Sequence, residues 1–142
     1  MKRIIFVLSV LSCTIFNIFT QEFIPLWPKD KTPNSKGIEL KEKIVNNRIL
    51  QVETPGIYTF LISGKNSNEG AVLICPSGGY QHLTYDQGGF QLAKWFNTIG
   101  INAFVLIYRL PHSPDLTDRQ VAPLQDAQRA MKIIRQNAEK WH

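Results

Sequence analysis

Cysteine is scarce in this chain of 142 residues, which contains only Cys13 and Cys75. Two cysteines, one of them inside an apolar N-terminal stretch, exclude a disulfide framework and a cysteine metal site within one chain. The chain also lacks a block of basic residues, since its formal charge of +5 is spread along the sequence. We therefore expect no nucleic-acid partner and no metal.

The N-terminus carries an apolar stretch that is too short for a membrane span. Lys2 and Arg3 precede the uncharged run from Ile4 to Phe19, in which five polar residues or cysteines occur. A spanning helix needs about 20 apolar residues. We predict a signal peptide over residues 1–20, export to the periplasm or beyond, and no stable membrane span after cleavage. Cys13 loosely resembles a lipoprotein box, but the apolar stretch after it disfavours lipid anchoring there.

Residues 21–47 are predicted to form an extended leader before the main domain, residues 48–142. Residues 48–52 and 56–63 are short runs of strand-forming residues. Pro55-Gly56 lies between them and favours a turn. We therefore predict that they form an antiparallel edge pair.

Two continuous apolar runs further along predict parallel strands covered on both faces. Residues 71–75 and 103–108 are these runs. Apolar residues at helical spacing over residues 90–96 lie between them, and Gly100 stands where a helix C-cap glycine is expected. We expect Cys75, at the end of the first run, to be a small buried hydrophobe.

The last segment is predicted to be one amphipathic helix. Its apolar positions recur at intervals of three and four: Leu124, Ala127, Met131, Ile134, Ala138 and Trp141. Pro123 suits the first turn of that helix, and Asp126 suits its positive end. Strand, helix, strand and helix together predict a parallel βαβα unit of the α/β class with right-handed crossovers.

The turn Ser77-Gly78-Gly79 follows the first parallel strand, where α/β enzymes place ligand-binding loops. Glycines there leave backbone amides directed outward, which suits a phosphate or an oxyanion. The phosphate-loop patterns are not present, so the oxyanion interpretation gains by elimination and no cofactor is predicted. From the glycines alone, a tight turn without a ligand is equally compatible.

A set of short motifs resembles the secreted carbohydrate esterase branch of the α/β-hydrolase family, which includes acetylxylan esterase-like enzymes. The motifs extend over nearly all of the chain after residue 22. They are Cys75-Pro-Ser-Gly-Gly-Tyr80, Asp86, Lys94-Trp95, Gly100-Ile101, Phe104-Val-Leu106, Tyr108-Arg-Leu110 and Leu124-Gln-Asp-Ala-Gln-Arg-Ala130. The resemblance implies an incomplete α/β-hydrolase fold, in which the antiparallel edge pair precedes the βαβα unit.

The resemblance also implies which residues act in catalysis. The backbone of Gly78, Gly79 and Tyr80 would be the oxyanion-hole loop, with Gly79 or Tyr80 as the donor. None of the serines lies in the G-x-S-x-G pattern of a nucleophile elbow. The serine, the acid and the histidine of the triad are therefore expected beyond His142. A local triad of Ser77, His82 and Asp86 is disfavoured, because Ser77 is too close to the expected donor to attack a carbonyl held there.

The remaining candidates concern substrate contact and bracing. Tyr80 and His82 are expected to contact the substrate, and Arg109 and Asp126 to form a bracing ion pair, although two solvated charges are also compatible. We expect Trp95 and Trp141 to be core residues and His112 to lie in a surface loop.

Three functional hypotheses remain open on the sequence. The first is the N-terminal half of an exported serine esterase that acts on acylated polysaccharide or a small ester and is inactive without its missing C-terminal half. The second is a non-catalytic module that binds carbohydrate or an anion. The third is a fragment complemented by a second chain.

Overall fold

The computed structural model describes residues 21–62 and 70–141. The predicted signal peptide, residues 1–20, and His142 lie outside these ranges. In the described ranges, no helix is long and apolar enough to cross a membrane.

The strands, in chain order, are β1 (Phe23–Pro25), β2 (Lys43–Val45), β3 (Arg48–Gln51), β4 (Gly56–Phe60), β5 (Ala71–Ile74) and β6 (Asn102–Ile107). The helices are α1 (Gln91–Thr98), α2 (Ala122–Gln136) and the short α3 (Ala138–Trp141). A π-helical turn over Asp86–Phe90 leads into α1. Four strands form one mixed sheet in the order β1-β4-β6-β5, and β2 and β3 form a separate hairpin.

β6 is one of the two inner strands of the sheet, and all six of its residues are buried. Alternate side chains of a strand point to opposite faces. Phe104 and Leu106 pack in the cluster that contains residues of α2, whereas Ala103 and Val105 pack in the cluster that contains Ala93 of α1. The two helices therefore cover opposite faces of the sheet, and β5, α1 and β6 form the predicted parallel unit.

The predicted edge pair is wrong in its partners. The two segments do form antiparallel strands, but β3 pairs with β2, and β4 pairs with β1 and β6. Asn46 and Asn47 have φ of 50° and 56°. Two positive φ values make the tight turn that joins hairpin strands, so this turn directs β3 to β2.

β5 is less buried than the sequence predicts. Val72 and Leu73 are half-buried and Cys75 is exposed, so the expectation that Cys75 is a buried hydrophobe is wrong. In the described residues, β5 pairs with β6 alone and forms an edge of the sheet. The predicted cover on both faces of this strand is therefore incomplete, and of its four residues only Ile74 is buried.

The last helix also departs from its predicted pattern. Asn137 ends α2 and separates it from α3, so the segment is two helices. Leu124, Met131 and Ala138 are exposed, and the buried face of α2 includes Asp126, Ala130 and Ile133 instead. Pro123 lies in the first turn as predicted, whereas Asp126 lies one turn further in. The buried face of α2 therefore only partly matches the predicted stripe: it keeps Ile134 and also includes the Asp126 side.

The ends of four strands meet at one rim of the sheet. The carboxyl ends of β5 and β6 lie side by side, because Ile74 is opposite Val105. The antiparallel pairing of Gly56 with Ile107 and of Pro25 with Gly56 brings the start of β4 and the end of β1 to the same rim. This rim holds the residues discussed below.

Candidate active site

The glycine turn lies at the carboxyl end of β5, where the sequence placed it. The amide of Gln81 donates to the carbonyl of Gly78 at 3.0 Å, which closes a four-residue turn. Gly79 and Tyr80 occupy its two central positions with φ of 59° and 60°. Two consecutive left-handed residues are the signature of a type I′ turn.

Gly78 has no room for a side chain. Its φ is 145°, and a Cβ at this position would lie 1.9 Å from the carbonyl oxygen of His82. Tyr80 is unusual because it is a bulky residue with a positive φ, a conformation that such residues rarely adopt. Backbone strain of this kind persists where the surrounding structure enforces it, often at functional sites.

The amides of Gly79 and Tyr80 are the available donors of the turn. Among the described residues, neither amide donates a hydrogen bond within the chain. Tyr80 is also 56% exposed. Two adjacent unbonded N–H groups at the rim of the sheet can bind an oxyanion.

The Ser77 hydroxyl is already engaged. The Thr84 hydroxyl donates to the Ser77 carbonyl at 2.9 Å, so the 2.8 Å contact between the two hydroxyls makes Ser77 the donor to Thr84. Within the described residues, no hydrogen bond joins Ser77, His82 and Asp86 to one another. These contacts give Ser77 the role of a brace for the turn.

Contacts to Tyr108 and to Ile49 hold the turn and the loop that follows it. The Tyr108 hydroxyl donates to the Pro76 carbonyl at 3.0 Å, and the Tyr80 ring meets the Tyr108 ring edge-on at 6.1 Å. Burial, together with the neighbouring Tyr80 and Cys75, raises the pKa of Tyr108 above its ordinary value. Leu83 is bridged to Ile49 of β3 by two backbone hydrogen bonds, which ties the loop to the hairpin.

His82 is half-buried beside the turn, and its ring Cδ2 would lie 3.0 Å from a Cβ on Gly78. His82 therefore lies beside the glycine turn, and its contact with the substrate stays a prediction. His112 is exposed, as predicted, and its Nε2 lies 3.1 Å from the Leu50 carbonyl. Trp141 is a core residue against Phe104, but the prediction for Trp95 is wrong, because Trp95 is 55% exposed on α1.

The expected contact between Arg109 and Asp126 is present and buried. Arg109 Nη2 lies 2.8 Å from Asp126 Oδ1, and Arg109 Nε lies 2.9 Å from Asp126 Oδ2. The indole Nε1 of Trp27 also donates to this carboxylate at 2.9 Å. Trp27 is a site residue that was not predicted, because its partner lies 99 positions away in the sequence.

No set of three or more metal-ligating side chains is grouped in residues 21–62 and 70–141.

Comparison with known proteins supports the predicted resemblance. No protein-family model matches the chain. An acetylxylan esterase of Xylanibacter ruminicola is 36% identical over 78 residues, which are 55% of this chain and 15% of that enzyme. Endo-1,4-beta-xylanase B of Butyrivibrio fibrisolvens is 31% identical over 91 residues, which are 62% of this chain and 13% of that enzyme.

A solved structure gives the same indication. The acetyl ester-xyloside bifunctional hydrolase of Caldicellulosiruptor lactoaceticus aligns with a TM-score of 0.61 and 27% identity, over 85% of this chain and 38% of that one. The chain thus spans 13–38% of the length of these proteins. The predicted resemblance to acetylxylan esterase-like α/β-hydrolases and the predicted incomplete fold are confirmed.

Proposed function

We propose that this chain, an acetylxylan esterase-like part of an α/β-hydrolase, is the N-terminal half of an exported serine esterase that removes acyl groups from polysaccharide. The relatives named for acetylxylan, xylan and acetyl ester hydrolysis support the substrate class. The chain would supply the scaffold and half of the oxyanion hole, and another stretch of polypeptide would supply the triad.

One observation carries this proposal. Gly79 and Tyr80 present adjacent amides without partners in the described residues, at the carboxyl rim of a parallel strand pair. In an acyl transfer, such donors stabilise the negative charge that develops on the carbonyl oxygen. The second donor of the hole would be the amide that follows the nucleophile.

The chemistry of ester hydrolysis explains why we assign the triad to another stretch of polypeptide. A serine hydroxyl needs a histidine to accept its proton, and the histidine needs an acid to orient it. Ser77 donates to Thr84 instead, so we assign no nucleophile within this chain. By this assignment the chain alone does not turn over esters, and Tyr80 and His82 contact the acylated sugar beside the scissile bond.

The coding sequence that follows His142 tests the proposal. We expect a G-x-S-x-G pattern there, in frame or after a frameshift, followed by an acid and a histidine in that order. A continuation without such an elbow would instead favour a non-catalytic module that uses the glycine turn to bind an anion or a sugar.

A further inference from the structure

A second candidate site lies on the same rim of the sheet, between the segment after β1 and the turn before β4. It is a cavity of about 690 Å³, and six of its lining residues are Trp27, Pro28, Asp30, Glu53, Thr54 and Arg129. We call it the rim groove. Its volume falls within the range of about 300–1,000 Å³ that is usual for small-molecule sites.

Trp27 is held rigidly at the rim groove. Its indole nitrogen donates to the buried Asp126 carboxylate, and the Arg129 guanidinium lies 5.5 Å from the centre of its ring. Arg129 is itself fixed by a 2.9 Å hydrogen bond to the Leu26 carbonyl. Trp27 nevertheless remains half-buried, so part of a fixed aromatic surface is free for a ligand. Such a surface binds without the entropic cost of ordering a side chain.

The charges around the rim groove balance. Lys29 and Arg129 line it together with Asp30 and Glu53, so the groove has no net attraction for an anion or a cation. Asp30 and Thr54 are exposed, and in the described residues neither side chain makes a hydrogen bond. A carboxylate and a hydroxyl can accept hydrogen bonds from the hydroxyls of a neutral ligand. An aromatic surface with hydroxyl-binding groups at its edge suits a sugar ring, which has apolar faces and a polar perimeter.

The rim groove and the glycine turn are separated but share one edge of the sheet. The groove lies at the end of β1 and the turn at the end of β5, which are three strand spacings apart. At about 4.8 Å for each spacing, the separation along the sheet is about 14 Å. A polymer can extend over both positions, whereas a single small ester reaches only one.

We propose that the rim groove binds an unsubstituted stretch of a neutral polysaccharide backbone and thereby delivers an acylated sugar to the glycine turn. The inference rests on the proposed function for the identity of the polymer, and on the geometry of Trp27, Asp30 and Thr54 for its location.

Titration of the full chain with xylohexaose, a linear and unacylated xylose hexamer, tests the proposal by calorimetry. We expect saturable binding. Because Trp27 supplies the ring surface, Trp27→Ala should weaken the affinity by about tenfold or more, which corresponds to about 1.4 kcal/mol. Asp30→Asn should also weaken the affinity. It should not disturb the fold, because asparagine tolerates the observed φ of 61°.

Trp95→Ala is the matched control, since Trp95 is an exposed tryptophan on α1 outside the rim groove. It should leave the affinity unchanged. Absence of binding, or equal affinities for the parent chain, Asp30→Asn and Trp95→Ala, would overturn the proposal. The outcome is independent of the esterase assignment, because binding needs no triad. If a G-x-S-x-G elbow follows His142 but the chain does not bind xylohexaose, the esterase proposal is retained and the proposal for the rim groove is overturned.

Discussion

Arg109 binds Asp126 through its guanidinium group and also through its own backbone amide, which donates to Oδ2 at 3.0 Å. Asp126 is fully buried, and Trp27 shares its carboxylate. One side chain therefore joins the end of β6, the helix α2 and the segment after β1. The Arg109 Nη1 group extends this network to the Pro33 carbonyl.

Asp126→Asn should destabilise the chain severely. The substitution leaves the buried Arg109 cation without its counter-charge, and breaking a buried pair in this way costs about 3–5 kcal/mol. Urea unfolding followed by circular dichroism measures the loss. Glu139→Gln, at an exposed carboxylate of α3, is the control and should change the midpoint little. Equal midpoints for the two variants would show that the network does not hold the rim together.

The two glycines of the turn should respond differently to alanine. Gly79→Ala meets no atom within 4 Å and pays only for its left-handed φ of 59°, which costs about 1–2 kcal/mol. Gly78→Ala also forces a clash with the His82 carbonyl, so its unfolding midpoint should fall further. Thermal or urea unfolding of both variants separates these effects. A larger loss for Gly79→Ala would contradict the described turn.

Tyr108→Phe should remove a hydrogen bond that supports the turn. The buried Pro76 carbonyl would lose its donor, at a cost of about 1–3 kcal/mol in the free energy of unfolding. Because the pKa of Tyr108 is raised in the folded chain, the stability that its protonated side chain contributes depends on pH. The stabilisation is fully present below the unfolded tyrosine pKa of about 10 and is lost as the pH rises through the higher folded value. The stability difference between parent and variant should therefore shrink in alkaline solution. A difference that grew with pH would contradict the assignment.

Cys75 should react slowly with thiol reagents although it is exposed. Desolvation raises the pKa of its thiol, so the nucleophilic thiolate forms only at higher pH. In a Cys13→Ser variant, the pH profile of alkylation by iodoacetamide should have its midpoint above that of the same chain unfolded in urea. Coincident profiles would show that the surroundings of β5 do not desolvate the thiol.

Local signals in the sequence predicted the parallel unit well. Gly100 follows Ile99, the C-cap of α1, and has φ of 82°, the left-handed conformation that commonly ends a helix at this position. The continuous apolar run of β6 predicted a strand covered on both faces. The structure confirms this, because all six residues are buried and helices lie on both faces. The position of the glycine turn followed from the same strand order.

Interactions between distant residues could not be predicted in the same way. The apolar spacing of α2 predicted Leu124 and Met131 in the core, but both are exposed, and the buried face carries Asp126 paired with Arg109. The exposure of Cys75 depends on which strands flank β5, and the bond of Trp27 to Asp126 links opposite ends of the chain. Local periodicity carries no information on these contacts.

Hydrolysis of p-nitrophenyl acetate tests most directly the central claim that this chain supplies oxyanion donors to a triad located elsewhere. The 142-residue chain and a polypeptide that continues past His142 would be assayed side by side, each with and without a serine-reactive phosphonate. We expect background rates for the chain and phosphonate-sensitive turnover for the longer polypeptide. Phosphonate-sensitive turnover by the chain alone would contradict the account.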